Sequence, residues 1–342
     1  MVSAFPMLLL DGAQATELEK DERVDLGAST LWSAALLLDQ HAALASDVVV
    51  DMHRRYVLAG ADVVTTISYQ ASLLGFRDEG HAHSEQEMER FYERSVALAV
   101  QGRDAAWKEL AGDADKPSRR KPLIAASIGC YGAALADGSE YRGDYGLSKQ
   151  ELIAWHRHRF AFFATHAAVD FLLCETIPCL VEVDALLALA REHPSVRLML
   201  AVACRDGASL NNGDAIAGLS ALLKRVEDPS QVLAVGVNCT APQHVESLLQ
   251  ALDTPPETPK LAYPNSGEHW DGVNKRWLSL SLSAAHAQDQ DHDQPAGASW
   301  AAYVPAWWSA GARVFGGCCR TSPDDIAAIA ASCREQLRLS ES

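Results

Sequence analysis

Adjacent cysteines are the residues in this chain best suited to chemistry. Cys318 and Cys319 follow the run Arg313-Val314-Phe315-Gly316-Gly317 and precede a helix start at Ser322-Pro323, so both thiols would stand at the rim of a strand. A second signal of the same shape lies upstream, where Val235-Gly236-Val237-Asn238 ends on Cys239 just before Thr240-Ala241-Pro242. Three thiolates are soft ligands, suited to zinc and not to magnesium or calcium. Zinc with three protein ligands keeps its fourth tetrahedral position for water or substrate, whereas structural sites close all four. The count therefore points to catalysis. The competing reading is that these are ordinary small buried residues, as free cysteines often are. That reading is preferred for Cys130, Cys174, Cys179, Cys204 and Cys333, and the metal reading for Cys239, Cys318 and Cys319.

Ligands so far apart in sequence need a scaffold that brings strand ends together. Eight short apolar runs recur along the chain: Met7-Leu10, Ala61-Thr66, Pro122-Ile128, Val169-Cys174, Arg197-Val202, Val232-Val237, Lys260-Tyr263 and Ala312-Phe315. Between them lie helical patterns with recognisable starts. Ser84 with Glu87 and Ser148 with Glu151 have the spacing of capping boxes. Val48, Met52 and Tyr56 make an apolar stripe with Ser46 before it and Gly60 after it. In the last helix Ser322 can cap, Pro323 suits the first position, and Asp324 and Asp325 suit the positive end of the dipole. Nearly continuous apolar strands alternating with amphipathic helices predict a parallel sheet covered on its outer face. Eight such units predict an α/β fold, a single-domain (β/α)8 TIM-type barrel over 1–342, with active sites at the C-terminal strand ends. Cys239 then follows the sixth strand and the Cys318-Cys319 pair the eighth. A doubly wound dinucleotide fold is disfavoured, because no Gly-x-Gly-x-x-Gly turn follows the first strand. Two polar stretches read as loop insertions, 112–121 and 284–299. His286 and His292 lie among aspartates in the second, which reads as a solvated insertion before it reads as a metal tract.

Composition narrows the function. The 342 residues are 48% hydrophobic and 22% charged, enough for a large core. A formal charge of -16 argues against nucleic acid or an anionic membrane as the main partner, since both need a positive surface. The apolar start at Met1 has no basic flank and stops at Asp11, too short for a secretory signal, and no transmembrane helix is evident. Cysteines in strand-like runs, not in a small disulfide framework, fit a reducing compartment, so a cytoplasmic location is expected.

Several segments carry a resemblance to the zinc-dependent homocysteine S-methyltransferase family, in particular the branch using S-methylmethionine or S-adenosylmethionine. They are Asp11-Gly12-Ala13-Gln14-Ala15-Thr16-Glu17-Leu18-Glu19, Leu31-Trp32-Ser33-Ala34, Gly60-Ala61-Asp62, Ser68-Tyr69-Gln70-Ala71, 136–145 (Ala136 to Tyr145), Cys174-Glu175-Thr176-Ile177-Pro178, Gly236-Val237-Asn238-Cys239, 263–268 (Tyr263 to Glu268) and Gly316-Gly317-Cys318-Cys319-Arg320-Thr321. Two places depart from the family pattern. Ala13 stands where several relatives have glycine, and Ala28-Ser29-Thr30 precedes Leu31-Trp32 where many have an Asn-Asp pair.

The resemblance implies a barrel, one zinc per chain on Cys239, Cys318 and Cys319, and small-molecule substrates: homocysteine as methyl acceptor and a sulfonium donor. Glu175 interrupts an apolar strand and is the candidate for the acceptor's ammonium, with Asp11 beside it. Backbone N–H groups of Asp11-Gly12-Ala13 could hold its carboxylate. Asp11 reads equally as a turn acid capping its own loop. Asn238 would orient the metal site through a hydrogen bond. Tyr69, Trp32 and Tyr263 are candidates for the sulfonium, against the alternative that they are core aromatics. Glu140 and Asp144 could bind the donor's amino group or be solvated loop charges. Two other functions remain open on the residues alone, a non-catalytic or redox zinc-thiolate protein and a cobalamin-linked methyltransferase module.

Overall fold

The computed structural model describes residues 6–111, 119–267, 269–271, 276–278 and 300–341. Its main sheet has eight strands: β1 (Leu8–Leu9), β2 (Val63–Thr65), β3 (Leu123–Gly129), β4 (Phe171–Ile177), β5 (Leu198–Val202), β6 (Val232–Asn238), β7 (Lys260–Tyr263) and, after a hairpin of β8 (His269–Asp271) and β9 (Arg276–Leu278), β10 (Ala312–Phe315). All its pairings are parallel, in the order β1-β10-β7-β6-β5-β4-β3-β2. The first two strands are thus the two edges, and a barrel closes only where they meet.

They meet through two aspartates. Asp62 donates its N–H to Leu9 O at 2.7 Å, and its Oδ2 accepts the Leu9 N–H at 3.1 Å. Farther along the seam, Asp11 accepts the Thr65 N–H and the Thr65 hydroxyl, each at 2.8 Å. Carboxylates replace rungs that β1 is too short to supply, which gives the nearly closed (β/α)8 barrel that the eight apolar runs predict.

Alternation along the strands separates two packed layers. Leu8, Leu10, Phe171, Leu173, Met199, Ala201 and Val314 form one cluster inside the barrel, while Leu9, Leu172, Cys174, Leu200, Val202 and Phe315 pack in the cluster shared with the helices. Because side chains alternate with a period of two, Glu175 follows Phe171 and Leu173 inward, and Cys174 points the other way. Gly236 is required by the closeness of β6 and β7, since a Cβ there would lie 1.9 Å from Leu261 O.

Helix starts largely follow their caps. Ser148 and Glu151 form a reciprocal capping box. At Ser322 the partner is Asp325, whose Oδ2 accepts the Ser322 N–H at 2.8 Å while its own N–H donates to Ser322 Oγ at 3.3 Å. Two expectations need correction. Ser84 accepts the Glu87 N–H, but the Glu87 carboxylate reaches the His83 N–H, one residue before the cap, so the box is incomplete. Ser46 lies inside the helix Ala42–Ala59, which starts earlier than its apolar stripe suggests and stops at Gly60 with φ 125°. Of the insertion 112–121, residues 112–118 lie outside the described residues, and Arg119 is tied to the barrel by hydrogen bonds to Val57 O and Ala61 O. The stretch 284–299, with His286 and His292, lies wholly outside the described residues. Among the described residues no helix is long and apolar enough to cross a membrane.

Candidate metal centre and substrate pocket

β6 ends at Asn238, and Cys239 follows in a left-handed conformation, φ 46°. Opposite it, Gly316-Gly317 turns the chain out of β10. Gly317 packs against Thr321, where a Cβ would lie 2.2 Å from Oγ1. Cys318 is then pinned by its N–H to Pro264 O at 2.8 Å and by its own carbonyl, which accepts Thr321 Oγ1 at 2.6 Å. These turns bring the three sulfurs within 4.8 Å of one another, the Cys239–Cys319 and Cys318–Cys319 separations being 3.9 and 4.0 Å. A tetrahedral ion with metal–sulfur bonds of about 2.3 Å needs sulfurs about 3.8 Å apart, so the trio fits such an ion with little movement. Hydrogen bonds among the three hold the Cys319 thiol well below its usual range and push Cys239 well above it. The remaining cysteines stay apart from this group. Burial pushes up the thiols of Cys130, Cys174, Cys179, Cys204 and Cys333.

Asn238 stands directly behind the sulfurs. Its Nδ2 donates to Thr176 Oγ1 at 2.8 Å and lies 3.9 Å from Cys318 Sγ, while its Oδ1 accepts the Thr176 N–H at 2.8 Å. Thr176 is itself left-handed, φ 58°. Glu175, one residue earlier, accepts Ser127 Oγ on Oε1 at 2.5 Å and Tyr263 OH on Oε2 at 3.2 Å. Burial is the chief reason its carboxyl is pushed up to about 8, and the nearby Cys318 and Asp11 add to it against the two hydrogen bonds. Asp11 is pushed up to about 7 by burial, partly offset by Thr65.

A cavity of about 220 Å³ opens over these groups at the C-terminal ends of the strands. Its wall includes Asp11, Gly12, Ala13, Trp32, Tyr69, Glu140, Glu175, Tyr263 and the three cysteines. Asn238 stands behind this wall. Four carboxyl groups, those of Asp11, Glu19, Glu140 and Glu175, line it and favour cationic groups. Glu140 is pushed up to about 7 by burial, and its Oε2 is buried with no hydrogen-bond partner among the described residues. Of the five non-glycine residues with positive φ among those described, Trp32, Ala136, Thr176 and Cys239 line the cavity and Arg320 adjoins it. Strained backbone collects where side chains must be aimed against local preference.

Two candidates are placed differently from expectation. Asp144 is 72% exposed, paired with Arg142 at 3.5 Å and off the cavity wall, because the loop after β3 turns only Glu140 inward. The Ala13 N–H does not face a ligand either. It donates to Thr321 Oγ1 at 3.0 Å, across to the loop after β10. Gly12 is needed for this turn, since a Cβ would lie 2.7 Å from the Tyr56 ring, whose hydroxyl donates to Ala13 O at 2.7 Å. Sequence reasoning missed Ser127, Thr176, Gln14, Tyr56 and Tyr141. Ser127 was within reach, because it follows the inward Ala125 by two in an apolar strand. Gln14, which reaches Thr65 O, Tyr56 and Tyr141 meet the site only through tertiary contacts.

The homocysteine S-methyltransferase family matches this chain over residues 8–333. A homocysteine S-methyltransferase of Bacillus subtilis, YbgG, is 40% identical over 334 residues, covering 98% of this chain and 96% of that one. A homocysteine S-methyltransferase of Escherichia coli is 39% identical over 325 residues, covering 95% and 94%. Among solved structures, the homocysteine methyltransferase MmuM from Escherichia coli in its metallated form superposes with a TM-score of 0.75 at 36% identity, covering 96% of each chain. With a match across nearly its whole length and a fold in common, the chain belongs to the homocysteine S-methyltransferase family.

Proposed function

We propose that this chain transfers a methyl group from a sulfonium donor to the sulfur of homocysteine, giving methionine, at one zinc held by Cys239, Cys318 and Cys319. The observation that carries this reading is the trio of sulfurs, spaced for a tetrahedral ion, on a cavity whose wall also presents the inward carboxylate of Glu175. Zinc bound there would act as a Lewis acid that keeps a substrate thiol deprotonated at neutral pH. Glu175, braced by Ser127 and Tyr263, receives the ammonium of homocysteine, and Asp11 contributes negative charge nearby. Asn238 fixes Cys318 against the Thr176 turn.

The donor lies across the cavity with its sulfonium among Tyr69, Trp32 and Tyr263, whose ring faces attract a cation when water is excluded. Glu140 takes the donor's amino group, which satisfies its unpartnered Oε2. In the reaction the homocysteine sulfur forms a new bond to the methyl carbon as the donor's S–CH3 bond breaks. The bonding pair stays on the donor sulfur, which leaves as a neutral thioether and needs no proton. Catalysis is then thiol activation plus alignment. S-methylmethionine is the first-choice donor and S-adenosylmethionine the second.

The test is a parallel assay of the zinc-loaded protein with homocysteine and S-methylmethionine, S-adenosylmethionine or betaine, following methionine. Turnover with a sulfonium is expected. Betaine turning over fastest, or no methionine from any of the three, overturns the reading.

A further inference from the structure

We infer that Glu79, which is not itself on the cavity wall, is a positioning residue for the donor side of the site: its carboxylate holds Ser29 and Thr30 and through them sets Trp32 against the cavity. This rests on the assignment of Trp32 to the donor.

Three donors converge on that one carboxylate. The Ser29 hydroxyl lies 2.9 Å from each oxygen, and Oε1 also accepts the Thr30 N–H at 2.6 Å and the Thr30 hydroxyl at 2.5 Å. Hydrogen bonds to an ionised acceptor are the strong ones, and several on one carboxylate fix a backbone segment as well as its side chains. The link continues past the first shell of donors. Ser29 Oγ accepts the Leu31 N–H at 3.0 Å, so the hydroxyl that is bound to Glu79 also orients the peptide leading into Trp32.

Leu31 supplies the second anchor. It is 1% exposed and packs on the helix Leu73–Asp78, where Gly75 leaves room for it; a Cβ on Gly75 would lie 3.0 Å from Leu31 Cδ2. Glu79 caps the C-terminal end of that same helix. One short helix therefore grips the segment twice, by an apolar contact at Gly75 and by a charge at Glu79. The residue that follows the grip is Trp32, left-handed at φ 50°. A bulky residue stays in that conformation only where its surroundings over-determine it; Glu79 holds the two residues before Leu31, and the Glu19 carboxylate is hydrogen-bonded to the Trp32 side chain itself. Ser29, Thr30, Trp32 and Ser33 all line the cavity.

The experiment compares zinc-loaded wild type with Glu79→Ala, Glu79→Gln, Thr30→Val and the Glu79→Ala/Thr30→Val double variant. Glu79→Ala should raise the KM for the sulfonium donor roughly tenfold, with kcat at saturating donor, the KM for homocysteine and metal content changed by less than about twofold. Glu79→Gln keeps an acceptor oxygen and should restore part of the loss. Thr30→Val removes one donor from the exposed side, and the double variant should be no worse than Glu79→Ala, because both changes break one contact set. Amide hydrogen exchange in the protein without substrates should rise across residues 26–33 in Glu79→Ala and stay unchanged in the strands. Additive effects, equal rises in both KM values, or unchanged exchange over 26–33 would each overturn the inference. If wild type transfers methyl from no sulfonium, the donor assignment fails by itself, and the exchange measurement alone then decides whether Glu79 holds the segment.

Discussion

Cys239 and Cys319 stand 80 residues apart in the chain and 3.9 Å apart at sulfur. Neither can close a metal site alone, so Cys318→Ser or Cys319→Ser should remove most of the zinc and nearly all methyl transfer. The expected stoichiometry is about one zinc per wild-type chain. Metal analysis beside the methyl-transfer assay checks both statements, and full activity in a metal-free preparation would contradict them.

In the proposed function Glu175 meets the ammonium of the acceptor and is not one of the metal ligands. Glu175→Ala should therefore raise the KM for homocysteine about ten- to a hundredfold, the loss of one charge-assisted hydrogen bond, with zinc content retained. Titrating homocysteine at fixed donor is the measurement. An unchanged homocysteine dependence would show that the ammonium lies elsewhere.

Glu140 makes a prediction about pH. Burial raises its folded-state carboxyl to about 7, above the ordinary value of 4.5, so the folded protein holds that proton more tightly than the unfolded chain. Stability from this group is then fully present below about pH 4 and is lost as pH rises to about 7. Glu140→Gln removes the penalty. The variant should be more stable than wild type at pH 8 by an amount on the order of 3 kcal/mol, seen as a higher melting temperature, and the difference should vanish near pH 4. Donor binding should show the opposite trend, since only the ionised carboxylate pairs with an ammonium: the wild-type donor KM should fall as pH rises through 7, and the Glu140→Gln value should stay high and flat. Thermal melts and donor KM values across pH 5 to 8 test the pair of statements.

Chelation should abolish activity and leave the barrel folded. The buried residues of the interior layer, among them Leu8, Leu10, Phe171, Leu173, Met199 and Val314, and of the larger cluster under the helices include none of the three candidate ligands. In small zinc domains the binding energy is the folding energy, but here three ligands tie turns that a large core already positions. Far-ultraviolet circular dichroism should be unchanged by a chelator and the melting temperature modestly lower, with activity returning when zinc is restored. Global loss of helical signal at room temperature would make the metal structural.

The parts of this protein that repeat were legible in its sequence, and the parts that do not repeat were not. Eight apolar runs with turns after them were enough for the barrel, because strand burial leaves a continuous apolar signature and βα units recur. The same runs placed Cys239, Cys318, Cys319 and Glu175 at strand ends on one rim, and a period of two puts Glu175 on the face of Phe171 and Leu173, which the barrel turns inward. Loops have no period. The loop after β3 carries Glu140 and Asp144 in one acidic stretch, and only the packed structure turns one into the cavity and leaves the other paired with Arg142 in solvent. Tertiary contact likewise decided that the Ala13 N–H is taken by Thr321, 308 residues away, and that Tyr56 stands over Gly12. Hydrogen-bond partners so distant in sequence leave no local trace, because each residue alone is as well suited to water as to the partner that the fold brings to it.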